Sequence, residues 1–244
     1  MTTLKARLSG KITFLLLIPV LLCGPRTAFG GEADSPGPNI QLRGGFHNSL
    51  YRFEKEKKGH VAFIGGSITA MNGYRPMLRG FLQKRFPETK FTFTNAGISS
   101  TCSTSGAFRL QRDVLSRGPV DLFFIEYAVN DDQDAGHARR ECIRGMEGIL
   151  RQTRSHNPMA DIVITHFVNP GMLKTVGKGK EPVSSGAHED VAKHYGVSTI
   201  HLIREVDRLI AAKELTWKKF GGTHPGPHGN RLCADMIEKL LTTS

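Results

Sequence analysis

A serine at position 67 follows two glycines at the end of an apolar run, in "HVAFIGGSIT". A phosphate-cradling loop, a plain tight turn into a helix and the seat of a nucleophile all place small residues and a hydroxyl this way. A Walker loop needs a lysine beside the Ser/Thr and a longer glycine spacing, and neither is present. The G-x-G-x-x-G spacing of a dinucleotide fingerprint is missing too. Alone, "GGSIT" says only that the chain turns sharply. Three further residues stand in comparable places: Gly97 in "NAGISS", Asn130 in "EYAVND" and His224 in "GGTHPGPHGN". Each also has an ordinary reading. Asn130 could cap a helix, Gly97 could be a turn glycine, and His224 is one of ten histidines. His228 suggests a metal pair with His224, but the intervening "PGP" cannot be helical, so the two do not share a helix face.

A scaffold that gathers positions 67, 97, 130 and 224 must bring several chain segments to one place. The hydrophobic pattern supplies it. "HVAFIGG", "KFTFTNAG", "VDLFFIEYAVND", "ADIVITHFV" and "VSTIHL" read as strands, the third being the strongest. Between them lie the helical patterns "YRPMLRGFLQKRF", "AFRLQRDVL", "RRECIRGMEGILRQTRS", "HEDVAKHYG" and "IREVDRLIAAKEL". "GNRLCADMIEKLL" closes the chain as a helix starting just after Pro227 and Gly229. Five near-continuous apolar strands separated by helices imply a parallel sheet buried on both faces. Right-handed crossovers then give a three-layer, doubly wound α/β sandwich of flavodoxin-like type with a five-stranded parallel sheet. In such folds the working residues gather beyond the carboxyl ends of the strands.

Serine, glycine, asparagine and histidine, in that order and each at a strand's end or before the last helix, resemble the SGNH hydrolases, also called the GDSL esterase/lipase superfamily. The similarity runs from about His60 to the C-terminus. "GGSIT" is a relaxed form of the family's Gly-Asp-Ser-Leu, and "AVND" and the "HP…G" context are its most specific parts. The resemblance implies that Ser67 is a nucleophile attacking an ester carbonyl, and that His224 takes its proton and returns it to the leaving alcohol. It further implies an oxyanion hole made by the backbone N–H of Ser67, the backbone N–H of Gly97 and the side-chain amide of Asn130. One such donor is typically worth ~10²–10³ in kcat.

The chain departs from the family at one place. The family usually carries an aspartate three residues before the histidine, and here Gly221 stands there. Three replacements remain open: a main-chain carbonyl from "TWKKFGG", a carboxylate from elsewhere (Asp131, Asp132 or Asp134), or none, in a relative that binds an acylated ligand without turning it over. The expected arrangement is a Ser67–His224 dyad with a main-chain orienter. No metal or cofactor is called for by a hydrolysis of this kind.

Composition bounds the rest. The 244 residues suit one α/β domain, with 39% hydrophobic residues and 14 Phe for its core. Residues 1–30 read as a secretory signal peptide: a basic start (Lys5, Arg7, Lys11), the apolar run "ITFLLLIPVLL" and small residues at Ala28 and Gly30 before a cut at Gly31. An uncleaved anchor is the alternative. Removing them leaves 29 basic against 22 acidic residues, a charge of +7. That charge is dispersed, without a nucleic-acid module, so no nucleic-acid partner is expected. Residues 31–55 look like a loose N-terminal segment and residues 56–244 the hydrolase domain. Cys102, Cys142 and Cys233 match no metal-binding spacing and cannot all pair internally. A compact, exported, basic relative of this family points to a small acyl group, most plausibly acetyl, on a saccharide, acting in a secreted or periplasmic setting with no membrane span after cleavage. A lipase or thioesterase of the same fold and a non-catalytic carbohydrate binder are the alternatives. "NPGMLKTVGKGKEPVSSGAHED" is expected to be a rim loop at the same end as the site.

Overall fold

The computed structural model describes residues 36–243, so the expected leader and its cut before Gly31 lie outside the described residues. In chain order, β1 (Ile40–Gln41) and α1 (His47–Glu54) lead into β2 (Lys58–Gly65), the single-turn α2 (Ser67–Ala70) and α3 (Tyr74–Arg85). β3 (Lys90–Gly97) and α4 (Ser103–Asp113) follow, then β4 (Leu122–Glu126), α5 (Ala128–Gln133) and α6 (Arg139–His156). Next come β5 (Asp161–Thr165), α7 (Pro170–Val176) and α8 (Val183–Tyr195). β6 (Ser198–Ile200), α9 (Leu202–Ala211), α10 (Trp217–Phe220) and α11 (Pro227–Thr243) complete the described chain.

One sheet has the order β1-β6-β5-β4-β2-β3. The last five strands in that order are the five expected ones, all parallel. Alternate residues along each strand enter opposite cores, because successive side chains point to opposite faces. Val61, Phe63, Leu122, Phe124 and Val163 pack with α3, α9 and α11. Ala62, Ile64, Phe123, Ile125 and Ile164 pack with α4, α6 and α8. This is why β2, β4 and β5 read as unbroken apolar runs. Phe63 and Phe124 are register partners across β2 and β4, and their rings stack 4.9 Å apart. Such a pair contributes ~1 kcal/mol beyond its burial. β3 is an edge strand with exposed alternate positions, hence the mixed pattern of "KFTFTNAG".

Four expectations change. The segment 31–55 is structured from residue 36: β1 adds a sixth, antiparallel strand through Ile40↔Ile200 and Gln41↔Thr199, and α1 buries Phe53. A two-residue strand gives the sequence no period to show. The strongest apolar run, "VDLFFIEYAVND", is not one strand. It stops at Glu126, and Ala128–Gln133 is helical, because a short buried run looks alike in either state. The expected rim loop is mostly α7 and the start of α8, with Asn169 capping α7 through the Met172 N–H at 2.8 Å. Finally, α11 begins at Pro227 itself, where a missing N–H costs nothing.

From β2 the chain goes outward to β3, then crosses back to β4 and continues to β5 and β6. The direction of winding therefore reverses between β2 and β4, and a crevice opens beyond their carboxyl ends.

Candidate active site

Ser67 lies two residues beyond β2, in the first turn of α2, at that crevice. Its N–H has no intrahelical acceptor, as for any first-turn residue. Its Oγ lies 2.7 Å from Nε2 of His224, a contact spanning 157 positions of sequence. Ser67 is half-buried and His224 exposed, so the pair opens directly on solvent.

The glycine before the serine is required by contact. A Cβ on Gly66 would stand 2.0 Å from Oδ1 of Asn130, because the asparagine side chain lies across this turn. Asn130 is buried inside α5 and caps no helix. Its Nδ2 donates to Oδ2 of Asp134 at 2.5 Å, while Oδ1 has no partner. A carboxamide nitrogen carries two N–H groups, so one remains for a second acceptor. Gly97 ends β3 in register with Gly65. A Cβ there would come within 2.3 Å of the Ala70 nitrogen, so its smallness serves the packing of β3 on α2. The Gly97 N–H is donated to Oδ1 of Asn95 at 3.0 Å.

His224 lies in a turn fixed at both ends. Thr216 caps α10 through the Lys219 N–H at 3.1 Å, the Phe220 carbonyl accepts the Gly226 N–H at 2.9 Å, and Asn230 Nδ2 donates to the Pro225 carbonyl at 2.5 Å. Gly221, in the family's aspartate position, is the left-handed residue that ends α10, with φ +104°. The expected main-chain orienter is not formed: among the described residues, His224 hydrogen-bonds to Ser67 alone.

The three alternative carboxylates are occupied elsewhere. Asp131 is fully buried and accepts from the Ser103 N–H (2.7 Å), Ser103 Oγ (2.6 Å) and His188 Nε2 (2.9 Å). Burial pushes its carboxyl up, but His188 and the two Ser103 donors outweigh that and hold it below its ordinary range. Asp132 accepts from Asn169 Nδ2 at 2.8 Å. Asp134 orients Asn130. The helical turn of α5 decides this, since consecutive residues on a helix face different neighbours.

Sequence reasoning passed over two residues that shape the turn. Arg109 of α4, nearly buried, donates through Nη2 to the Gly65 carbonyl at 3.1 Å and to the Tyr127 hydroxyl at 2.7 Å. Glu126, the last residue of β4, is fully buried with Oε2 3.2 Å from Thr69 Oγ1. A charged residue inside the strongest apolar run was the available signal.

Three groups among the described residues bring metal-ligating atoms within 4.8 Å of one another: Cys102, Asp131 and His137; Asp131, Cys142 and His188; and His166, Glu189 and His201. Neither Ser67 nor His224 belongs to any of them. In the third, Glu189 already pairs with Arg43 at 2.5 Å. Cys102, Cys142 and Cys233 are free thiols. No helix among the described residues is long and apolar enough to cross a membrane.

The family model of the GDSL-like Lipase/Acylhydrolase family matches residues 63–232. No curated protein matches the sequence. Among solved structures, a two-domain esterase active on acetylated mannans, crystallised with mannopentaose, superposes with a TM-score of 0.70 at 24% identity, over 84% of this chain and 55% of that one. This chain thus spans about half the length of that relative. An acetylxylan esterase from Geobacillus stearothermophilus gives 0.60 at 17% identity, over 75% and 94%. An α/β hydrolase from the metagenome of Lake Arreo, Spain, gives 0.63 at 18%, over 76% and 95%. At these identities the likeness is one of fold.

Proposed function

Because the chain belongs to the GDSL-like lipase/acylhydrolase family, a family of carboxylic ester hydrolases, we propose that it removes small acyl groups, above all acetyl, from a saccharide, with Ser67 and His224 as its catalytic dyad. The observation that carries this reading is the 2.7 Å contact between Ser67 Oγ and His224 Nε2, formed at the crevice between β2 and β4. Ser67 passes its proton to His224 as Oγ bonds to the ester carbonyl carbon. The resulting oxyanion is held by the N–H groups of Ser67 and Gly97 and by the free N–H of Asn130, the Asn95 amide giving way. The tetrahedral intermediate collapses, the C–O bond to the alcohol breaks, and His224 returns the proton to the leaving oxygen. Water, deprotonated by the same imidazole, then releases the acid from Ser67.

The substrate class rests on two supports. The dyad opens directly on solvent, which suits an acyl group carried on a bulky sugar chain. The fold is also shared with esterases whose substrates are acetylated mannans and acetylated xylan. Acetate release from acetylated manno- and xylo-oligosaccharides is expected to exceed hydrolysis of long-chain nitrophenyl esters. A preference for chains of about eight carbons or more would favour the lipase reading. The absence, among the described residues, of a second partner for His224 favours the carbohydrate binder as the other alternative, and saccharide binding without any ester turnover would establish it.

Export is part of the same reading. The exported protein is expected to begin at Gly31, which intact-mass measurement or N-terminal sequencing checks. An exported form that keeps Met1 would show an anchor instead.

A further inference from the structure

The peptide unit joining Gly65 to Gly66, one residue before Ser67, is held at its carbonyl and lies against the Glu126 carboxyl. Its carbonyl, on Gly65, accepts from Arg109 Nη2 at 3.1 Å and from the Ile98 N–H at 3.1 Å. The Gly66 N–H lies on the side of the Glu126 carboxyl and pulls its titration down. The order across the turn is therefore guanidinium, peptide, carboxyl. Glu126 also accepts from Thr69, two residues beyond Ser67, and Thr69 is in turn 3.1 Å from the Tyr74 hydroxyl. Gly65 leaves room for this, since a Cβ there would stand 2.9 Å from Glu126 Oε2.

Glu126 is fully buried, and its Oε1 has no partner. Among the described residues, no lysine, arginine or histidine forms an ion pair with it. The groups around it are Thr69 of α2, Tyr74 of α3, Tyr127 next in the chain, Asp131 and Asp134 of α5, Cys233 of α11, and Arg109 across the peptide. Burial above all, helped by the charges of Asp131 and Asp134, outweighs the Thr69 hydroxyl and the Gly66 N–H and leaves the carboxyl pushed up to about 7. A buried carboxylate gains more from an N–H donor than the neutral acid does, because charge-assisted bonds are shorter and roughly twice as strong.

We propose that Glu126 is a positioning residue for Ser67: its ionised carboxylate, bonded to Thr69 in the same single-turn helix and packed under Gly65 opposite Arg109, fixes the turn that aims the serine, so that ester turnover gains when Glu126 loses its proton. The inference rests on Ser67 being the nucleophile. Rotation of this peptide moves both the Ser67 nitrogen and its Oγ, and a misplacement of about 1 Å at a reacting group can cost ~100-fold.

Glu126→Gln keeps the shape and fixes the neutral state. The ratio of wild-type to E126Q kcat, measured against pH, isolates the effect, because ionisations common to both proteins cancel. The ratio is expected to rise about tenfold from acid to alkaline pH, with its midpoint near 7. A flat ratio would overturn the inference, since a purely structural loss is the same at every pH. Thr69→Val removes one donor to Glu126 without changing any charge, and serves if E126Q does not fold. Its activity profile is expected to move to higher pH, and an unmoved profile counts against the inference. Ser67→Ala distinguishes the two failures. An inactive S67A with a flat ratio sinks only the role of Glu126, whereas an active S67A sinks the nucleophile assignment and this inference with it.

Discussion

Ser67→Ala is expected to lower kcat for a short-chain nitrophenyl ester by about 10⁴-fold or more, the scale on which loss of a nucleophilic serine acts elsewhere. The fold should not suffer. Ser67 is only half-buried, and His224, its single side-chain partner among the described residues, is exposed and returns to water when the hydroxyl is removed. No buried group is left unpaired, so the stability change stays within about 1 kcal/mol. A thermal melt run beside the activity assay checks both halves. More than a tenth of wild-type activity in a folded S67A protein would remove the serine from the mechanism.

Gly221→Asp restores the residue the family usually carries, and by residue type alone it should help. In serine proteases, losing the comparable acid costs ~10⁴ in kcat. The structure reverses the expectation. Gly221 has φ +104°, where side chains are strained by ~1–3 kcal/mol. Its Cβ would also stand 1.9 Å from the Gly226 nitrogen and 2.6 Å from the Gly226 Cα. Both obstacles are backbone, so the turn itself must move, and His224 lies inside that turn. We expect G221D to lose about 100-fold or more in kcat, with a lower melting temperature. Circular dichroism melts and initial rates measure the two effects. A gain in turnover would show that the turn reorganises to place a carboxylate behind His224, and that the wild-type dyad works without an orienter.

The two variants mark what each level of description contributes. The five parallel strands, their alternation with helices and the chain order of Ser67, Gly97, Asn130 and His224 follow from the sequence. Those features are local, since a continuous apolar run marks a strand covered on both faces and paired glycines mark a turn. The family resemblance then implies that the four residues share one site. Their convergence at the reversal of winding between β2 and β4 is a consequence of that topology.

Contacts between residues far apart in sequence were decided only in three dimensions. The sequence offered Asp131, Asp132 and Asp134 as equivalent candidates, but the helical turn of α5 directs them to Ser103 and His188, to Asn169 and to Asn130. Gly97 ends β3, and the close approach of α2 requires its small size. Gly221 reads as a missing aspartate by its spacing and proves to be a left-handed turn residue packed on Gly226. β1 is too short for any period, so its partner β6 alone defines it as a strand. Glu126 looks like a polar end to an apolar run until the fold seals it beneath the turn that carries Ser67. Periodicity and spacing are properties of neighbouring residues, whereas burial, strain and the choice of hydrogen-bond partner belong to the packed chain.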